Sequence, residues 1–252
     1  MREWTVLQSA WRFLRMILLV FSVGVAKEAK EVHAAGAANL TQALEEIKRA
    51  FLKEHPNVKL SLSFGSSGKL YNQIRQGAPF DLFVSADKKR PLRLSEDKIT
   101  PYTPKVYAKG VLVLWSKTRL VPSLEVLKGS FEHLSIANPT LAPYGKASME
   151  VLEKLQLAQT LKSRILLGNS IAQANQYVAS GGAELGFSAL SLMDRHDSKH
   201  YYIVPKEYYQ PIEQALVLTK AGGKNPLARE FEQFILGQTG RAILKNYGYI
   251  VD

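Results

Sequence analysis

Four short segments of the 252-residue chain combine small residues with uncharged hydrogen-bond donors: Ala37-Ala38-Asn39, Gly65-Ser66-Ser67-Gly68, Pro143-Tyr144-Gly145 and Asn169-Ser170-Ile171. Each stands where an apolar run hands over to a helical repeat. A helix that starts there presents backbone N–H groups with no intrahelical acceptor, at the positive end of its dipole. Small residues let an anion approach that backbone, and hydroxyl or amide side chains add further donors. Any one segment alone also reads as an ordinary helix cap. Two from each half of the chain would surround a single anion with donors.

The donor set narrows the guest. A cage of donors alone suits an oxyanion that has lost its protons at neutral pH, such as sulfate, molybdate or tungstate. Phosphate and arsenate keep a proton and want a carboxylate acceptor beside the donors. No Lys or Arg lies in the four segments, so dipoles and neutral hydrogen bonds would hold the charge. Asp81 and Asp87 fall outside them, and Asp87 reads as a helix cap.

Other residue sets point less clearly to chemistry. His196 and His200 are four apart with Asp194 and Asp197 nearby, a metal-pair spacing without a third ligand of obvious placement. Tyr201-Tyr202 and Tyr208-Tyr209 are tandem tyrosines, the pattern of ferric-ion binders among exported proteins. The first pair lies in a strand-like run, where alternation would bury one ring and expose the other. Ferric ion is therefore the alternative guest. The Gly65–Gly68 turn is not a nucleophile elbow, and no His/Asp pair is placed to activate its serines, so an exported hydrolase ranks last. With no cysteine in the chain, disulfide frameworks, thiolate metal sites and cysteine nucleophiles are excluded.

The elements around these segments alternate. Leu40, Ala43, Leu44, Ile47 and Phe51 repeat at helical spacing with Asn39 as N-cap candidate. Residues 58–64 alternate as a strand, a second helix carries Leu70, Tyr71 and Ile74, and residues 80–85 form the next strand. This βαβαβ order predicts an open sheet with helices on both faces. A second series follows: strands at 111–115, 134–137 and 185–188, with helices after Tyr144 and Asn169. Residues 212–219 read as one more strand, and residues 226–236 and 240–247 as closing helices. The fold class expected is α/β, two-lobed, of the type II solute-binding kind, hinged by two crossing strands near 106–115 and 212–219. Lobe I would comprise residues 27–107 plus 213–252, and lobe II residues 108–212.

Residues 1–26 read as an export signal: Arg2, Arg12 and Arg15, then an apolar run at 16–25, then a small-residue site at Ala26. Its removal takes away three arginines and Glu3, lowering the formal charge of +11 by two. The 46% hydrophobic and 22% charged residues are ordinary for a globular chain and exclude disordered, collagen-like and coiled-coil classes. The basic residues are dispersed, and export leaves few nucleic-acid partners. The charge is read as a solvated surface that mildly attracts anions.

Several of these segments together resemble one family. Ala37-Ala-Asn39-Leu-Thr-Gln-Ala, Phe64-Gly-Ser-Ser67-Gly-Lys-Leu and Gly77-Ala-Pro-Phe-Asp-Leu-Phe-Val-Ser-Ala-Asp87 look like the periplasmic molybdate-binding proteins of ABC transporters, the ModA family. Asn138-Pro-Thr-Leu-Ala-Pro-Tyr-Gly145 and Ile243-Leu-Lys-Asn-Tyr-Gly-Tyr249 fit as well. The resemblance implies capture of molybdate, and also tungstate, without chemical change, in the periplasm. Delivery to an inner-membrane permease would follow. It implies a monomer with no cofactor and no nucleic-acid partner, and molybdenum present only inside the bound oxyanion, with no direct protein–metal ligand. By motif position, Asn39 and Ser67 would supply side-chain and backbone donors, Ser66 would assist, and Tyr144 and Ile171 would supply mainly backbone N–H. Some members carry a tyrosine hydroxyl where Ala189 stands here, so the cage must close differently.

Overall fold

The computed structural model describes residues 31–194 and 196–252, so the export signal read at residues 1–26 lies outside the described residues. The chain begins with β1 (Glu31–Ala37) and a 3-10 turn (Ala38–Leu40), which runs directly into α1 (Thr41–Glu54). β2 (Lys59–Gly65), α2 (Ser67–Arg75), β3 (Leu82–Val84) and α3 (Lys89–Glu96) continue the alternation. β4 (Lys105–Gly110) then leads straight into β5 (Leu112–Trp115). The second series is β6 (Leu134–Ala137), α4 (Pro143–Lys154), β7 (Ile165–Gly168), α5 (Ile171–Ala179), β8 (Leu185–Ala189) and β9 (Tyr201–Ile203). β10 (Ile212–Leu218), α6 (Pro226–Leu236) and α7 (Gln238–Asn246) close the chain.

Two five-stranded sheets result, and they share one plan. The first has the order β2-β1-β3-β10-β4, the second β7-β6-β8-β5-β9. In the first, β1 is parallel to β2 and β3, while β10 runs antiparallel to β3 and β4. In the second, β6 is parallel to β7 and β8, while β5 is antiparallel to β8 and β9. The central parallel strands are covered on both faces, which is why β1 buries residues of both parities, Val32, Ala34, Ala35 and Ala37. α1 turns Ala43, Leu44, Ile47 and Phe51 inward at helical spacing, and α6 and α7 return to pack against it.

The chain changes sheet at Gly110–Leu112, where β4 becomes β5. The return differs from the expected crossing along residues 212–219. β10 pairs along its whole length inside the first sheet, so the second crossing is made by the irregular segment between β9 and Ile212. The β9 reading also needs correction. Tyr201 and Tyr202 are both half-buried, because a three-residue edge strand has a neighbour on one side only and so shields both rings partly.

Candidate functional site

In both sheets the donor-bearing junctions follow the carboxyl ends of neighbouring parallel strands. Asn39 comes after β1 and Ser66-Ser67 after β2, the adjacent pair in the first sheet. Tyr144 comes after β6 and Ile171 after β7, the adjacent pair in the second. Open α/β sheets gather ligands at this end of their strands. All five of Asn39, Ser66, Ser67, Tyr144 and Ile171 are buried.

Contacts across the lobes bring the four junctions together. The backbone N–H of Gly68, in the first turn of α2, donates to Leu141 O just before α4, at 2.9 Å. The 3-10 turn that carries Asn39 packs against α5. Gln214 joins Asn39 to Tyr144, accepting from Asn39 Nδ2 at 3.0 Å and donating to Tyr144 Oη at 3.1 Å. Ser191 Oγ, beyond β8, donates to the backbone O of Asn39 at 2.8 Å.

The two cap-like serines behave oppositely. Ser170 is an ordinary N-cap, its Oγ accepting from Gln173 N at 3.2 Å. Ser66 occupies the N-cap of α2, makes no capping bond, and keeps a buried Oγ without a protein partner. Ser67 Oγ accepts from Ala86 N at 3.0 Å, leaving its own hydrogen available. Asn39 is not the cap that its position before an apolar repeat suggests. It sits inside the 3-10 turn with its side chain buried among polar groups. Tyr144 and Ile171 stand in the first turns of α4 and α5, where backbone N–H groups lack intrahelical acceptors. Gly145 lets α4 start this close to β6, since a Cβ there would lie 2.1 Å from Ala137 O.

Three phenols surround Asn39 and Gln214, and the sequence assigned a role to only one of them. Tyr249 Oη accepts from Asn39 Nδ2 at 2.8 Å and donates to Asn39 O at 2.9 Å. It is held there by the tail, where Ile250 forms an antiparallel bridge with Lys109 of β4. Tyr107 Oη lies 2.8 Å from both Ser85 O and Gln214 Oε1. Tyr249 thus supplies a hydroxyl in a site where Ala189, buried at the end of β8, supplies none. Burial is the main cause that pushes the Tyr107, Tyr144 and Tyr249 hydroxyls well above their ordinary pKa, and the neighbouring phenols raise Tyr107 and Tyr144 further. All three remain neutral hydrogen-bonding groups.

Charged groups lie outside this buried set. A cleft of about 580 Å³ opens between the lobes, walled by Gly68, Leu141 and Pro143 beside Lys88, Lys89, Arg90, Arg93 and Lys146, with Asp87, Glu150 and Glu213 as its acids. Arg90 pairs with Asp87 and donates to Thr140 O at 2.9 Å, tying the lobes together at the rim. Asp87 caps α3 as read, accepting from Arg90 N at 2.8 Å. Residues of the histidine and tyrosine motifs have local partners. His200 Nδ1 lies 2.6 Å from Asp197, and Tyr209 Oη accepts from Leu112 N at 3.2 Å. The described residues contain no group of three His, Cys, Asp or Glu that could hold a metal ion.

The chain is similar to known proteins over most of its length. The family described as "Bacterial extracellular solute-binding protein" matches residues 32–250. The molybdate-binding protein ModA of Rhodobacter capsulatus is 38% identical over 94% of this chain and 94% of its own length. The ModA of Azotobacter vinelandii is 42% identical over 89% of this chain and 91% of its own length. Among solved structures, the Azotobacter vinelandii periplasmic molybdate-binding protein superposes with a TM-score of 0.83 at 37% identity, covering 88% of this chain and 99% of that one.

Proposed function

Since the chain belongs to the ModA family of bacterial extracellular solute-binding proteins, we propose that it captures molybdate between its two lobes and presents it to an ABC transporter. It is a transport component and not an enzyme, and molybdate is its cargo, not a cofactor. The lobes close around the ion, residues 27–107 plus 213–252 making one and residues 108–212 the other.

One observation carries the reading. Ser66 keeps a buried, unpartnered hydroxyl at a helix N-terminus that needs no side-chain cap. A buried hydroxyl without a partner costs about 1–3 kcal/mol, and a bound oxyanion removes that cost. Ser66 and Ser67 donate hydroxyls and backbone N–H from the first lobe, and Asn39 donates from the same side. Tyr144 and Ile171 donate backbone N–H from the second. Among the described residues no carboxylate is hydrogen-bonded to the side chains of Asn39, Ser66, Ser67 or Tyr144, which favours the fully deprotonated molybdate and tungstate over phosphate. Lys88, Lys89 and Arg93 at the mouth of the cleft draw the dianion in. A periplasmic location, export by residues 1–26 and docking on an inner-membrane permease complete the proposal.

The test is isothermal titration of the mature chain with molybdate, tungstate, sulfate and phosphate. Tight binding of molybdate and tungstate with weak or absent phosphate binding is expected. Equal affinity for phosphate and molybdate would overturn the donor-only site.

A further inference from the structure

We infer that Gln214 is the positioning residue of the oxyanion site, deciding which end of the Asn39 amide faces the guest. The inference rests on the molybdate reading above. Gln214 is completely buried in β10, and the register with β4 shifts between Gln214 and Ala215. Such an irregularity re-aims a side chain out of the ladder. Here it carries the amide to one residue of each lobe, Asn39 and Tyr144. Gly110, the last residue of β4, makes the space, since a Cβ there would lie 2.2 Å from Tyr144 Oη and 2.4 Å from Gln214 Nε2.

Counting hydrogens shows why the amide matters. Asn39 spends both N–H groups inside the protein, on Gln214 Oε1 and Tyr249 Oη, and its own Oδ1 is buried without a partner. An unpartnered acceptor is the wrong end to offer an oxyanion. Tyr107 has one hydroxyl hydrogen but two acceptors at 2.8 Å, Ser85 O and Gln214 Oε1. Turning both amides over together resolves the conflict. Gln214 then donates to Tyr107 Oη and to Asn39 Oδ1, while Tyr144 donates to Gln214 Oε1. Tyr107 keeps its hydrogen for Ser85 O, and Ser191 serves Asn39 O, so Tyr249 is free to donate to Asn39 Oδ1. Both N–H groups of Asn39 are released to the anion. Only a primary amide at position 214 offers donors and an acceptor for this exchange.

The experiment is a double-mutant cycle on the mature full chain, read as the molybdate Kd by titration, with melting temperatures measured without ligand. Gln214→Met, close in volume but unable to donate, is expected to weaken binding about tenfold. Asn39→Ala should cost at least as much, and the double variant no more than Asn39→Ala alone, because Gln214 acts through Asn39. Gln214→Leu repeats the cycle should Gln214→Met fold poorly. Additive losses, or a Gln214 variant that binds as the wild type does, would overturn the inference and leave the molybdate reading intact. Failure of the wild type to bind molybdate would bring down both.

Discussion

Tyr249 and Asn39, 210 residues apart, meet at two points: the phenol oxygen lies 2.9 Å from the Asn39 backbone oxygen and 2.8 Å from its side-chain amide. The last strand-like contact of the chain, Ile250 on Lys109, sets the phenol in place. The C-terminal tail therefore joins the buried hydrogen-bond network around Asn39 and is more than an appendage to the first lobe.

Tyr249→Phe tests this. The ring stays buried and only the hydroxyl is lost, so the fold should persist with a stability loss of about 1 kcal/mol. Asn39 O keeps Ser191 as a donor, whereas the Asn39 side chain loses one of its two restraints. Molybdate affinity is expected to fall about three- to tenfold, measured by titration. An unchanged Kd would mean that the tail only closes the lobe.

The contrast between Asn39 and Tyr249 also shows what could be read without a structure. That Asn39, Ser66, Ser67, Tyr144 and Ile171 stand at strand-to-helix junctions is legible because such junctions leave local marks, small residues followed by helical repeats. The placement of Tyr249, Tyr107 and Gln214 is not, because it depends on pairings far apart in sequence. Gln214 reads as one polar residue in an apolar strand, and only the β10–β4 register shows where it points. Asn39 misled in a smaller way. Its position before an apolar repeat suggested a cap, but the 3-10 turn satisfies the geometry without it. The lobe plan is legible from alternation alone, but which sheet β10 joins is not, since periodicity says nothing about pairing partners.

Ser66 and Ser67 are adjacent but should respond in opposite ways. Ser66→Ala deletes a buried hydroxyl without a protein partner, so the ligand-free protein should be as stable as the wild type or slightly more so, while molybdate affinity falls. Ser67→Ala deletes the acceptor of the Ala86 N–H and should cost about 1–2 kcal/mol of stability without ligand as well as affinity. Paired thermal melts with and without molybdate separate the two. Equal destabilisation of the ligand-free forms would contradict the assignment.

Gly110→Ala probes closure. The added methyl would collide with the Tyr144 hydroxyl from the second lobe and with Gln214, two buried side chains that are hydrogen-bonded to each other. The lobes should be held partly open. The expected outcome is at least a tenfold loss of molybdate affinity, with the radius of gyration in saturating ligand remaining larger than that of the wild type. A wild-type decrease on ligand addition would show that the collision relaxes locally.

The buried phenols set the pH behaviour. Burial holds the Tyr107, Tyr144 and Tyr249 hydroxyls in their neutral form beyond the ordinary tyrosine value of 10.0. Among the described residues no histidine or carboxylate is hydrogen-bonded to the side chains of Asn39, Ser66, Ser67, Tyr144 or Gln214. Molybdate affinity should therefore be flat between about pH 6 and 9, where none of these groups changes charge. Stability follows a different course. Below pH 10 the phenols are protonated in the folded and unfolded chains alike, so their contribution is complete. Above it the unfolded chain releases protons that the folded one retains, and linkage then lowers stability as pH rises toward the folded values. Melting temperatures recorded from pH 8 to 11 should show a downward break near pH 10, made shallower by Tyr249→Phe because one raised phenol is gone. A break of the same steepness in that variant would assign the alkaline loss to groups outside the site.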